Sequence, residues 1–79
     1  MILNNSQAEA VYCAMCALNN VGALLNIQRQ WDDRAGWGVS QYKQSHNTVV
    51  VFAFGVDGQT TCSESYADQT AFATAYDFH

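Results

Sequence analysis

The chain has 79 residues, of which 49% are hydrophobic and only 13% are charged, about half of the roughly 25% that globular proteins usually carry. This length allows one domain, residues 1–79, which buries only about 60% of the surface of its unfolded chain. Seven Asp and Glu residues stand against three Lys and Arg residues, so the clustered cations that bind phosphate backbones are missing. Composition therefore excludes direct nucleic-acid binding and leaves apolar surface for a protein partner or a second copy to cover.

The sequence also indicates where the protein works. No apolar run reaches the roughly 18 residues that a transmembrane helix needs, and the N-terminal residues lack the charged region of a secretory signal. Three cysteines, an odd number, argue against a secreted disulfide framework. We expect a cytoplasmic protein with reduced thiols and no membrane contact.

The first predicted element is a helix over Gln7–Asn19. Asn5 or Ser6 can cap it, and Glu9 lies three residues after Ser6, which matches a capping box. Gly22 is a natural stop just beyond its end. Helical spacing puts one apolar set on a single face, predicted to face the core: Ala8, Val11, Tyr12, Met15 and Leu18.

The other face of this helix carries small residues, whereas a solvated face usually carries Lys and Glu. Ala10, Cys13 and Ala17 lie on it, and Glu9 is the only charged residue of the helix. Small side chains allow close approach by another surface. That surface is either a second copy, which makes these three residues a self-association site, or a foreign protein, or the rest of the same fold.

Two strands with alternating polarity are predicted next. Residues 25–31 alternate as a half-buried strand does, residues 32–36 form a turn, and residues 37–43 alternate again. In the second strand, Trp37, Val39 and Gln41 share one side. Trp31 and Trp37 either plug the ends of the core or, next to Asp32 and Asp33, anchor a partner.

The strongest structural signal is the β-branched and aromatic run Thr48–Val56, which predicts a buried central strand. Asp57-Gly58 then predicts a two-residue type I′ turn, with Gln59–Tyr66 as the return strand. If Val56 pairs with Gln59, alternate residues of the central strand lie on opposite faces of the sheet. We expect the bulkier set to face the helices: Val50, Phe52, Phe54 and Val56. The opposite set is a docking surface or is covered by the first helix: Val49, Val51 and Ala53.

Asp68 is a good cap for a last helix over Gln69–Tyr76. The predicted fold class is therefore α+β, with an antiparallel sheet of three to four strands, an N-terminal helix and a short C-terminal helix. The element order is α-β-β-β-(β)-α.

No residue pattern predicts catalysis. Cys13 and Cys16 form a C-x-x-C pair, but they lie inside the predicted helix and not at its N-terminus, where redox C-x-x-C pairs place their reactive thiol. Zinc needs four ligands, and Cys62 with His46 or His79 is not a second paired motif. No nucleophile elbow, ordered triad or phosphate-binding glycine loop is present. We expect no enzyme activity, no cofactor and no metal.

The hairpin from Phe54 to Thr61, followed by residues 65–68 and a short terminal helix in a small acidic chain, resembles the phage-encoded anti-CRISPR proteins. The resemblance covers roughly the last third of the chain. It implies a protein that works in a bacterial host, binds a CRISPR effector complex, and blocks either target-DNA recognition or nuclease recruitment. Those proteins share no motif, so the resemblance assigns no residue.

Two functions follow from these observations. The first is a small acidic inhibitor that binds a protein partner through Asp32, Asp33, Trp37, Glu64 and Asp68. Its acids are scattered along the chain, which argues against DNA mimicry. The alternative is a self-associating structural or accessory module, a homodimer built on Ala10, Cys13 and Ala17.

Overall fold

A computed structural model of the chain describes residues 2–31, 36–42 and 48–77, with only the backbone of Arg29 and Trp31. It has an N-terminal helix, four antiparallel strands in the order β1-β2-β3-β4, and a short C-terminal helix. The predicted α+β fold class is confirmed. The elements are α1 (Asn5–Asn20), β1 (Asn26–Trp31), β2 (Gly36–Tyr42), β3 (Thr48–Phe54), β4 (Thr60–Tyr66) and α2 (Gln69–Tyr76).

The N-terminal cap of α1 is Asn4, so the prediction of a cap at Asn5 or Ser6 is wrong. The Asn4 side chain accepts a hydrogen bond from Gln7 N (2.8 Å), and Gln7 Oε1 accepts one from Asn4 N (3.0 Å). Hydrophobic residues flank this cap at the positions of a staple, because Leu3 precedes it and Ala8 is the fourth helical residue. Both are buried in the core. A cap at Ser6 would leave exposed residues at these two positions.

The helices cover one side of the sheet, which we call the helix face. Val39 of β2 and Val49 and Val51 of β3 are fully buried there. Opposite them lie Val11 and Met15 of α1 with Phe72 and Tyr76 of α2. All five α1 residues predicted to face the core do so: Ala8, Val11 and Met15 are buried, and Tyr12 and Leu18 are partly buried and pack against them.

The prediction that the bulkier side of the central strand faces the helices is wrong. Phe52 and Phe54 lie on the opposite side of the sheet, the open face, with their ring centroids 5.1 Å apart. They pair across the sheet with Gly38 and Gly36. A Cβ added to Gly38 would lie 2.5 Å from the Phe52 ring, so the ring occupies the space that the glycine leaves. Phe54 is only 7% exposed and Phe52 is half-buried, so this face buries much of its phenylalanine surface without a helix.

The register of the central hairpin is as predicted, but its turn is not. Val49 pairs with Tyr66 and Ala53 with Cys62, as pairing of Val56 with Gln59 requires. Beyond Ala53 the register shifts by one residue, and the turn has three residues instead of two, closed by hydrogen bonds from Gly55 N to Gln59 O (2.9 Å) and from Gly58 N to Gly55 O (3.0 Å).

The reason lies in the backbone of the turn. Gly58 alone among the turn residues has a positive φ (81°), whereas a type I′ turn needs positive φ at both central residues. Asp57 instead keeps negative φ and accepts a hydrogen bond from Gln59 N (3.1 Å). This arrangement is typical of a three-residue hairpin loop, in which a glycine follows an ordinary turn.

Replacing Gly38 with alanine tests the contact on the open face. The new methyl group would lie 2.5 Å from Phe52 and 2.6 Å from the carbonyl oxygen of Ile27. Because the backbone oxygen cannot move freely, we expect Gly38→Ala to lower the free energy of unfolding by about 1–3 kcal/mol. Urea denaturation followed by circular dichroism measures this change.

The matched control is Gly55→Ala. Its nearest neighbour is the tip of the Asp57 side chain at 3.1 Å, which can move aside, so the expected change stays within about 0.5 kcal/mol. Equal stability of the two variants would show that the packing of the Phe52 ring does not require a glycine at position 38.

Candidate partner-binding surface

Charged side chains are distributed unevenly along the chain. All three Lys and Arg residues belong to residues 29–43, which also hold two of the seven acids. The remaining five acids lie in residues 1–28 and 44–79, which contain no Lys or Arg. Four of these are exposed, namely Glu9, Asp57, Asp68 and Asp77, and the fifth, Glu64, is half-buried.

Glu64, one of the residues predicted to bind a partner, is engaged inside the fold. Its Oε1 accepts hydrogen bonds from the hydroxyls of Tyr76 (2.7 Å) and Tyr66 (3.1 Å) and a longer one from Ile2 N (3.4 Å). The Tyr76 hydroxyl in turn accepts a hydrogen bond from the buried Leu3 N (3.3 Å). This carboxylate therefore connects β4, α2 and the N-terminal segment.

Burial controls the ionisation of the two tyrosines. Desolvation, and then the hydrogen bond to Glu64, raise the pKa of Tyr76 far above its usual value of about 10. The same two causes raise the pKa of Tyr66. Both hydroxyls therefore keep their protons at neutral pH and remain donors to the carboxylate.

The other residues predicted to bind a partner lie in different surroundings. Asp68 is exposed and caps α2, its side chain accepting a hydrogen bond from Ala71 N (2.8 Å). Trp37 is half-buried on the helix face and packs against the core, as expected of a residue that closes one end of the core. Asp32 and Asp33 lie outside the described residues. Their roles in partner binding stay predictions.

The small-residue face of α1 is exposed. Ala10, Cys13 and Ala17 all lie on the surface, so the alternative that the rest of the fold covers this face does not apply. The free thiol of Cys13 is exposed, and that of Cys16 is half-buried. Self-association through this face stays a prediction.

A polar contact joins the two helices next to that face. Gln69, the first residue of α2, donates a hydrogen bond from Nε2 to the Cys16 sulfur (3.0 Å). Its Oε1 accepts a hydrogen bond from Asn19 Nδ2. Cys16 therefore takes part in the packing of the two helices.

One buried polar side chain lies at the end of β2. Gln41 is 5% exposed, and its Oε1 accepts a hydrogen bond from Leu25 N (3.2 Å). Leu25 O also accepts from Gln41 N (2.9 Å), so the side chain extends the pairing beyond β1. Its Nε2 has no hydrogen-bond partner among the described residues.

β4 is one of the two edge strands of the sheet, and the sequence pattern predicted it as the return strand of the hairpin without indicating that it lies at an edge. Thr60, Thr61, Cys62, Ser63 and Ser65 are all exposed. Asp57 precedes this strand, and Asp68 follows it. The signal in the sequence was the small polar composition of Thr60–Tyr66, which is unusual for a strand beside a core.

Comparison of the chain with models of protein families, with curated proteins and with solved structures finds no match. Among the described residues, no three His, Cys, Asp or Glu side chains come together as a metal site. No helix in that same part of the chain is long and apolar enough to cross a membrane.

Removing the Tyr76 hydroxyl tests the internal role of Glu64. In Tyr76→Phe the buried Leu3 N–H and the Glu64 carboxylate each lose a hydrogen-bond partner. We expect the free energy of unfolding at pH 7 to fall by about 1–3 kcal/mol. Urea denaturation measures it, and Tyr42→Phe is the control because that side chain is 50% exposed.

The pH dependence provides a second measurement. A folded-state pKa raised above the unfolded value gives stability that is complete below about pH 10 and is lost as the pH rises further, because only the unfolded chain then releases the proton. Wild-type stability should therefore fall more steeply above pH 10 than that of Tyr76→Phe. If the free energy of unfolding of the two proteins falls with the same slope above pH 10, the Tyr76 hydroxyl is not held neutral in the folded protein.

Proposed function

We propose that this protein is an inhibitor that binds a basic surface of a larger protein, and that the partner is a CRISPR effector complex. One observation carries the proposal: outside residues 29–43 the chain has five acids and no Lys or Arg. Four of these acids are exposed. Such a surface attracts a basic protein and repels free nucleic acid.

The choice of partner class rests on charge and on the resemblance of the C-terminal part to anti-CRISPR proteins. CRISPR effector complexes hold the guide–target duplex in a positively charged channel. An acidic protein that occupies part of this channel would prevent target DNA from entering, or prevent a nuclease from docking. The exposed acids at the two ends of β4, Asp57 and Asp68, are suited to such contacts.

The test measures target-DNA binding by a panel of purified, guide-loaded effector complexes, using fluorescence anisotropy of labelled DNA. We expect increasing amounts of the protein to displace DNA from at least one complex. Reversing two charges in Asp32→Lys with Asp33→Lys should weaken inhibition by about tenfold, since an ion pair at a protein surface contributes up to about 1 kcal/mol.

The control for net charge is Glu9→Lys with Asp77→Lys, which changes the total charge by the same amount at two exposed positions elsewhere in the chain. Equal weakening by both double variants would show that only total charge matters and would remove Asp32 and Asp33 from the site. Absence of inhibition across the panel, with wild-type protein in excess, would overturn the proposed partner.

The second candidate function is self-association, and the exposed small-residue face of α1 favours it. Three small side chains on one helix, Ala10, Cys13 and Ala17, allow a second helix to approach closely. In this function the protein is a homodimeric structural or accessory module.

Light scattering with and without reductant tests this alternative. A homodimer through α1 should have twice the monomer mass in both conditions, and Ala10→Lys with Ala17→Lys should dissociate it because like charges would then meet. A dimer that reductant removes, and that Cys13→Ser abolishes, would indicate a disulfide between copies. A monomer in both conditions would contradict self-association.

A further inference from the structure

The exposed edge of the sheet at β4 has the properties of a strand-pairing site. β4 pairs with β3 on one side, and on its other side no strand of the described residues lies beside it. An edge strand presents unpaired N–H and C=O groups, and proteins usually block it with Lys, Pro, a bulge or a covering element. Thr60–Tyr66 contains neither Lys nor Pro, and its bulge lies at one end, beside Ala53 and Phe54.

The opposite edge of the sheet differs. The β1 strand has a register irregularity between Ile27 and Gln30, in its middle, and it contains Arg29. An interruption at that position divides the strand into two short pieces that cannot pair continuously with an added strand. Of the two edges, β4 therefore offers the longer regular stretch, Cys62–Tyr66.

The charges around β4 indicate what kind of strand it would receive. Exposed carboxylates lie at both ends, Asp57 in the preceding turn and Asp68 just after the strand. Seven strand residues span about 23 Å. Residues 44–79 contain no Lys or Arg, so no such side chain in this part of the sequence pairs with these carboxylates.

A second copy of the chain fits this edge less well. Twofold antiparallel pairing centred on Ser63 would place Asp57 of one copy opposite Gln69 of the other copy. Asp57 would then lie next to Asp68 of that other copy, and the two carboxylates would repel each other at both ends of the paired strands. Pairing centred on Glu64 would place two glutamates opposite each other. Like charges that face each other across strands destabilise pairing.

We infer that β4 receives an extended segment of the partner protein, which pairs with the strand through its backbone and carries Lys or Arg at both ends. This inference rests on the proposed function and deepens it, because it names the mode of contact. Backbone hydrogen bonds supply affinity in this mode, and the terminal cations facing Asp57 and Asp68 supply specificity.

The test uses the full chain and a synthetic peptide with blocked ends, Lys-Arg-Thr-Val-Thr-Val-Thr-Arg-Lys. Two-dimensional ¹H–¹⁵N NMR should show saturable shifts of the β4 amides, residues 60–66, on titration, while α1 amides stay in place. A peptide of the same charge, N-methylated at alternate residues so that one edge cannot donate, should bind at least about tenfold more weakly, because each lost backbone hydrogen bond weakens the pairing.

Protein variants test the charges separately. Asp57→Asn with Asp68→Asn removes both carboxylates but keeps the oxygens that accept from Gln59 N and Ala71 N. Peptide affinity should fall about 3- to 10-fold, as expected for two exposed ion pairs. The matched control, Glu9→Gln with Asp77→Asn, removes two exposed charges elsewhere and should bind the peptide as the wild type does.

Other outcomes overturn the inference. Equal binding of the N-methylated peptide would exclude backbone pairing, and unperturbed β4 amides would exclude this edge. Shifts of the same amides on raising protein concentration alone would assign the edge to a second copy. If the edge fails while the wild-type protein still displaces DNA from an effector complex, only the mode of contact is wrong. If peptide pairing succeeds without any such displacement, the proposed partner is wrong.

Discussion

The close approach of Phe52 to Gly38 is the contact that lets one side of the sheet do without a helical layer. Because the phenylalanine ring fills the space above a glycine of the neighbouring strand, the open face of the sheet buries aromatic surface without a second layer. Both helices are then free to pack on the same side, against Val49 and Val51. A larger residue at position 38 would lift the ring from the sheet and leave apolar surface in water, which costs free energy in proportion to its area. The chain has only two helices, and because of this contact they need to cover only one face of the sheet.

A second constraint links the two ends of the described chain. Glu64 holds Tyr76 of α2 and, with it, the N-terminal residues Ile2 and Leu3. A half-buried carboxylate is favourable only when hydrogen bonds replace the lost water, and two tyrosine hydroxyls provide them here. This explains why Glu64, which the sequence pattern predicted to bind a partner, makes its hydrogen bonds inside the fold. It also leaves the exposed acids as the groups that can meet a partner.

Local patterns predicted much of this fold because each has one main physical cause. Alternation and helical spacing gave the six elements, and the positions of Asp57-Gly58 and of the apolar run fixed the register of Val49 with Tyr66. The errors came from interactions between elements. Which side of β3 faces the helices depends on glycines in β2, and the start of α1 depends on Leu3 and Ala8 being buried together. The candidate site was less predictable still, because an acid such as Glu64 can face inward or outward and its neighbours in space decide which.

The same physical features that stabilise the fold also restrict how it can bind. The helix face is occupied by α1 and α2, whereas on the open face Phe54 is buried, Phe52 is half-buried and Tyr42 is 50% exposed. Besides separate apolar side chains such as Val21 and Val56, the described residues expose the small-residue side of α1 and the polar edge of β4. Close helix packing needs a partner surface of matching shape, whereas an edge strand needs only an extended backbone. The edge is therefore less demanding of its partner's sequence, and the carboxylates at its ends restrict that partner to basic segments.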